Sequence, residues 1–213
     1  MYEFSRSAKK TIESLEKAGV SLNSLTSDVR LLLYGAKPAV YISMGWGFIK
    51  HFMGNYPCIT VPHVGKGWVF IFQNSEVMYQ YMADKAKLIH HKRLGDSVVD
   101  CSEEDLGLVL GFPPSASKWF DTNDVIKLAK TNKAKYHELI RFIDYHGYVF
   151  ATHEADVLNS VNWMLENRHV PEEIQTGITV TQILECDGKG RVIRKDVKSF
   201  EEFKEFQDSV AHN

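Results

Sequence analysis

Apolar residues fall at helical spacing in the opening stretch of the chain. Phe4, Ala8, Ile12 and Leu15 recur every three or four positions, which predicts a helix over Ser5 to Ala18 ending at Gly19. A second helical start near Thr26 leads into Val29-Arg30-Leu31-Leu32-Leu33, and Gly35 and Pro38 return the chain to extended geometry. The pattern then changes. Ala39 to Ser43, Cys58 to Val61 and Trp68 to Phe72 are short runs of β-branched and aromatic residues set apart by Gly and Pro, as strands are. His63 to Gly67 reads as the turn of a hairpin between the second and third of them. A helix is expected from Asn74 or Ser75 to about Lys87.

From Leu88 to about Tyr145 the pattern is helical. Ser102-Glu103-Glu104-Asp105 offers an N-cap and carboxylates to a helix dipole, and Pro113-Pro114 can open the next helix. Tyr136, Leu139, Ile140 and Ile143 make an apolar stripe that predicts a further helix. Beyond it, Tyr148 to Thr152 reads as a strand. Glu154 to Asn167 reads as a helix buried along Val157, Leu158, Val161, Met164 and Leu165. Ile178 to Cys186 and Arg191 to Val197 are strands joined by Asp187-Gly188-Lys189-Gly190, the clearest hairpin signal in the chain. Ser199 and Glu202 form a capping box for a last helix with Phe200, Phe203, Phe206 and Val210 inward. Strands at both ends and helices between them, without βαβ alternation, predict an α+β protein. The expectation is one domain over residues 1–213, built on a single largely antiparallel sheet with flanking helices and a helical insertion at 88–145.

Composition narrows the function. A chain of 213 residues with 44% hydrophobic and 24% charged residues can bury a full core, and disorder is excluded as a description of the whole. A net charge of −2 argues against a dedicated nucleic-acid binder, which needs many cations to neutralise phosphates. The three cysteines are odd in number and lack C-x-x-C spacing, so reduced thiols in a cytoplasmic protein are expected. No apolar stretch is long and unbroken enough to span a bilayer, and the opening residues lack a signal-peptide core.

The nine histidines show no zinc-type spacing, so no metal and no cofactor is expected. Cys58 lies in an apolar run, Ser43 lacks the glycine of a nucleophile elbow, and Gly45-Trp46-Gly47 does not continue as a phosphate-binding loop. A non-catalytic binding or regulatory protein is the leading expectation, with a protein or small molecule as partner. Two surfaces carry it. Trp163 projects opposite the apolar stripe of its helix, and Arg191, Arg194 and Lys195 load the C-terminal hairpin with positive charge. The runner-up is a small enzyme or ligand-binding domain with a pocket between sheet and helical insertion, lined by Lys37, Trp46, His90 and His91. Nucleic-acid binding through the basic hairpin is third.

Gly35-Ala36-Lys37-Pro38-Ala39 and Leu106-Gly107-Leu108-Val109-Leu110-Gly111-Phe112-Pro113-Pro114 occur in that order with a strand and helix between them. In this the chain resembles an uncharacterised bacterial family of unknown function over about a third of its length. The resemblance implies a bacterial origin and carries no activity.

Overall fold

The computed structural model describes residues 2–61, 67–89, 103–187 and 191–211. The expected turn at His63 to Gly67, the His90-His91 pair, Cys101 and Gly188-Lys189-Gly190 lie wholly or mostly outside them. The chain divides into two compact units, Met1–Cys101 with Val109–Gly111, and Ser102–Leu108 with Phe112–Asn213.

The first unit begins with α1 (Arg6–Lys17), capped by Ser5, whose Oγ accepts from the Ala8 N–H at 3.2 Å. It continues through α2 (Ser27–Leu33), β1 (Ala39–Ser43), α3 (Ile49–Met53), β2 (Cys58–Val61), β3 (Trp68–Phe72) and α4 (Ser75–Ile89). The strands form an antiparallel sheet in the order β1-β3-β2. As the central strand, β3 is covered on both faces, which is why its sequence is apolar throughout rather than alternating. Val69 and Ile71 enter a cluster with Leu15, Leu32, Val40 and Phe52. Phe70 and Phe72 face the other way and meet Tyr81 of α4, with ring centroids 5.2 and 5.6 Å away.

The second unit holds all but the last residue of α5 (Glu103–Val109), then α6 (Pro114–Phe120), α7 (Asn123–Thr131), α8 (Lys133–Leu139), β4 (Ile140–Tyr145), β5 (Tyr148–His153), α9 (Val157–Asn167), β6 (Ile178–Cys186), β7 (Val192–Ser199) and α10 (Phe200–Ala211). Gly107 of α5 lies where a Cβ would come within 2.2 Å of the Ser117 hydroxyl on α6, so only glycine permits this crossing. Four antiparallel strands run in the order β5-β4-β6-β7.

The α+β class is as expected, but the single sheet is not: the strands form two. The stripe expected to continue as a helix changes element at Ile140, where β4 begins. Ile140, Ile143 and Tyr145 are buried there as strand residues. A two-residue turn sets the register of β4 against β5. His146 and Gly147 both have positive φ, 51° and 97°, as a turn matching the strand twist requires, and the Asp144 carboxylate accepts from Gly147 N–H at 2.7 Å. On the same sheet α9 buries Val157, Val161 and Met164. The capping box expected at Ser199 is present: its Oγ accepts from Glu202 N–H at 3.2 Å, and the Glu202 carboxylate accepts from Ser199 N–H at 2.9 Å.

Candidate functional site

The β6–β7 hairpin presents the most conspicuous surface of the second unit. Its strands pair regularly from Thr179↔Ser199 to Ile183↔Lys195, then resume at Glu185↔Arg194 and Cys186↔Val192. Leu184 on β6 and Ile193 on β7 have no cross-strand partner. Each is the extra residue of a bulge, and the two slips compensate. Both aliphatic side chains are turned to solvent, 44% and 60% exposed. Val192 and Val197 are exposed beside them.

The hairpin also carries exposed charge. Arg191, Arg194 and Lys195 are all exposed, and among the described residues their side chains make no ion pair. The carboxylates of α10 could have neutralised the hairpin, but Glu202 is turned back to cap its own helix. The far edge of β7 is bonded to no other strand among those described. Its bulges and cations are devices that discourage strand-to-strand addition at such an edge.

Trp163, the other surface expected to meet a partner, is half-buried on α9. The Arg168 guanidinium lies 4.8 Å from its ring centroid and covers one face. Burial lowers the Arg168 pKa from its usual value, with Tyr148 offsetting part of the effect.

Of the four residues expected to line a pocket, Lys37 and Trp46 are among the described residues. Lys37 is 2% exposed and paired with Asp28 in the first turn of α2. Burial pushes its ammonium below the usual lysine value, and Asp28 offsets part of that. Trp46 packs on the first unit's core, its ring 5.4 Å from Phe48 and 5.5 Å from Phe52. That is the placement of a tryptophan filling a core at a turn. His90 and His91 are outside the described residues.

One reactive-type pair escaped the sequence reading. Cys186 Sγ lies 3.5 Å from His137 Nε2, bringing together residues 49 positions apart. The remaining ring nitrogen, Nδ1, is buried with no hydrogen-bond partner among the described residues, so no third group orients the imidazole as a nucleophile's base requires. Among the described residues no group of three or more His, Cys, Asp or Glu side chains is placed to hold a metal ion. No described helix is long and apolar enough to cross a membrane.

No protein-family model matches the chain, and neither a curated protein nor a solved structure does.

Proposed function

We propose that this is a non-catalytic binding protein that docks through its β6–β7 hairpin onto an acidic protein surface with an apolar recess. The observation that carries the reading is the pair of compensating bulges. They leave Leu184 and Ile193 exposed on the same hairpin end as the exposed Arg191, Arg194 and Lys195, which make no ion pair among the described residues, although Glu185 lies opposite Arg194 in the register. Isolated aliphatics on a surface need no explanation, but two bulged ones on a hairpin end that also carries three exposed cations support a docking surface with an apolar centre and a polar rim. The cations would steer an acidic partner and the aliphatics would hold it. The reading also places the protein in the cytoplasm, supported by the free thiols of Cys58 and Cys186.

The test is affinity capture from a lysate of the source cell with nuclease present. Wild type is compared with Leu184→Asp/Ile193→Asp and Arg194→Glu/Lys195→Glu, and Trp163→Ala serves as the control. The same captured protein should be lost with both hairpin variants, each with unchanged Tm, and kept with the control. Recovery should also fall as salt is raised through the range that screens surface charge. Capture unaffected by both hairpin variants, or capture that nuclease abolishes, would overturn the reading.

A further inference from the structure

The inner face of the same sheet borders a cavity of about 260 Å³ between β4, β6, β7 and α10. Register explains its walls. Val180 pairs with Lys198 and Gln182 with Asp196, so these four side chains sit together on one face, with Arg141 of β4 alongside. Glu154 also lines the cavity, ion-paired to Arg141, and α10 contributes the buried Phe203 and the half-exposed Phe206 at its rim.

The polar groups differ in how well they are satisfied. Arg141, 5% exposed, is fully engaged: one amino group is 2.7 Å from Glu154, and the other donates to the Ile140 and Glu138 carbonyls at 2.8 Å each. It is a wall. Lys198 is held loosely. Its ammonium is 3.6 Å from the Asp196 carboxylate, beyond hydrogen-bond reach, and 4.2 Å from the Phe206 ring centroid. The Gln182 amide makes no hydrogen bond among the described residues. The Lys198 ammonium and the Gln182 amide are thus diagonal neighbours across the β6–β7 register, on the face that Phe203 and Phe206 flank.

We propose that this cavity binds a small monocarboxylate whose apolar body is a single ring or a branched chain. The Lys198 ammonium and the Gln182 amide donate to the carboxylate, and the body lies between Val180 and the two phenylalanines. Size agrees: a cavity of about 150 Å³ accommodates benzene, so 260 Å³ leaves room for a ring and its carboxylate. Asp196 is the competitor. Its carboxylate is half-exposed and not hydrogen-bonded to Lys198, so water can solvate it when the ligand takes the ammonium. The site is separate from the outward hairpin surface, and either reading can fail alone.

Titration of ¹⁵N-labelled protein with benzoate, benzyl alcohol and benzylamine tests it. Benzoate should give saturable shifts centred on Gln182, Lys198 and Phe203, with a Kd of about 1 mM or tighter. Benzyl alcohol and benzylamine should bind about tenfold more weakly, the loss expected when one charge-assisted bond is missing. Lys198→Met should weaken benzoate by about the same factor while leaving benzyl alcohol unchanged, and Lys198→Arg should retain benzoate binding. The proposal is overturned by any of three results: no saturable shift at about ten times that concentration, shifts centred away from the cavity, or benzylamine binding as well as benzoate.

Discussion

A lysine that is 2% exposed is an expensive residue to bury, and Lys37 is paired there with Asp28, whose carboxylate favours its charged form against the burial that opposes it. Asp28 itself is half-exposed, so the pair joins a buried cation to a partly hydrated anion. Lys37→Met removes the desolvated charge and keeps the volume. It should change unfolding free energy by no more than about 1 kcal/mol, or stabilise the fold. Asp28→Asn leaves the ammonium buried with a weaker acceptor and should cost about 1–2 kcal/mol, less than a fully buried pair because solvent already screens Asp28. Urea unfolding of the two variants measures both. A larger loss for Lys37→Met than for Asp28→Asn would show that the lysine serves something other than this pair. Neither Lys37 nor Arg141 could be placed from the sequence. A long cation beside proline or within an apolar stripe reads equally well as ligand-lining, surface or buried, and only the fold decides which.

The turn from β4 to β5 shows where local pattern misleads. Tyr136, Leu139, Ile140 and Ile143 fit a helical stripe, and alternation over Ile140–Tyr145 is obscured because Arg141 is buried as well. His-Gly is a weaker turn signal than Asn-Gly, so the hairpin that competes with the helix was hard to see. The β6–β7 hairpin and the capping box of α10 were legible because their turn and cap residues act locally. The bulges were not, since they depend on which residues pair. The His146 turn also carries a pH response. Its N–H donates to the Gly177 carbonyl, and its Nδ1 accepts from Gly177 N–H at 3.0 Å, which requires a neutral ring. Burial lowers its pKa below 6.5, with Asp144 partly opposing the shift. The unfolded chain thus takes up the proton first as pH falls. The contribution of His146 to stability is complete above 6.5 and is lost as pH drops through the lowered value. His146→Asn keeps a side chain that tolerates positive φ and does not titrate. Between about pH 7.5 and about pH 5.5, wild type should lose more Tm than this variant. Equal losses would remove His146 from the account.

At the scale of the molecule, the helix-and-strand class was readable from the chain, whereas the division into two sheets was not. Every strand signal is local, and nothing in the linear pattern says that β1 to β3 and β4 to β7 close separately. The same holds for Cys186 and His137, which meet only through the fold. The proposed docking surface lay between these extremes. Its charges stand in plain view in the sequence, but the outward aliphatics become visible only once the bulges are known. Amide hydrogen exchange of the protein alone and with its captured protein partner tests the central claim most directly. Protection on binding should concentrate in residues 183–187 and 191–197 and leave α9 unchanged. Protection centred on the Trp163 face of α9, with the hairpin still exchanging as in the free protein, would contradict it.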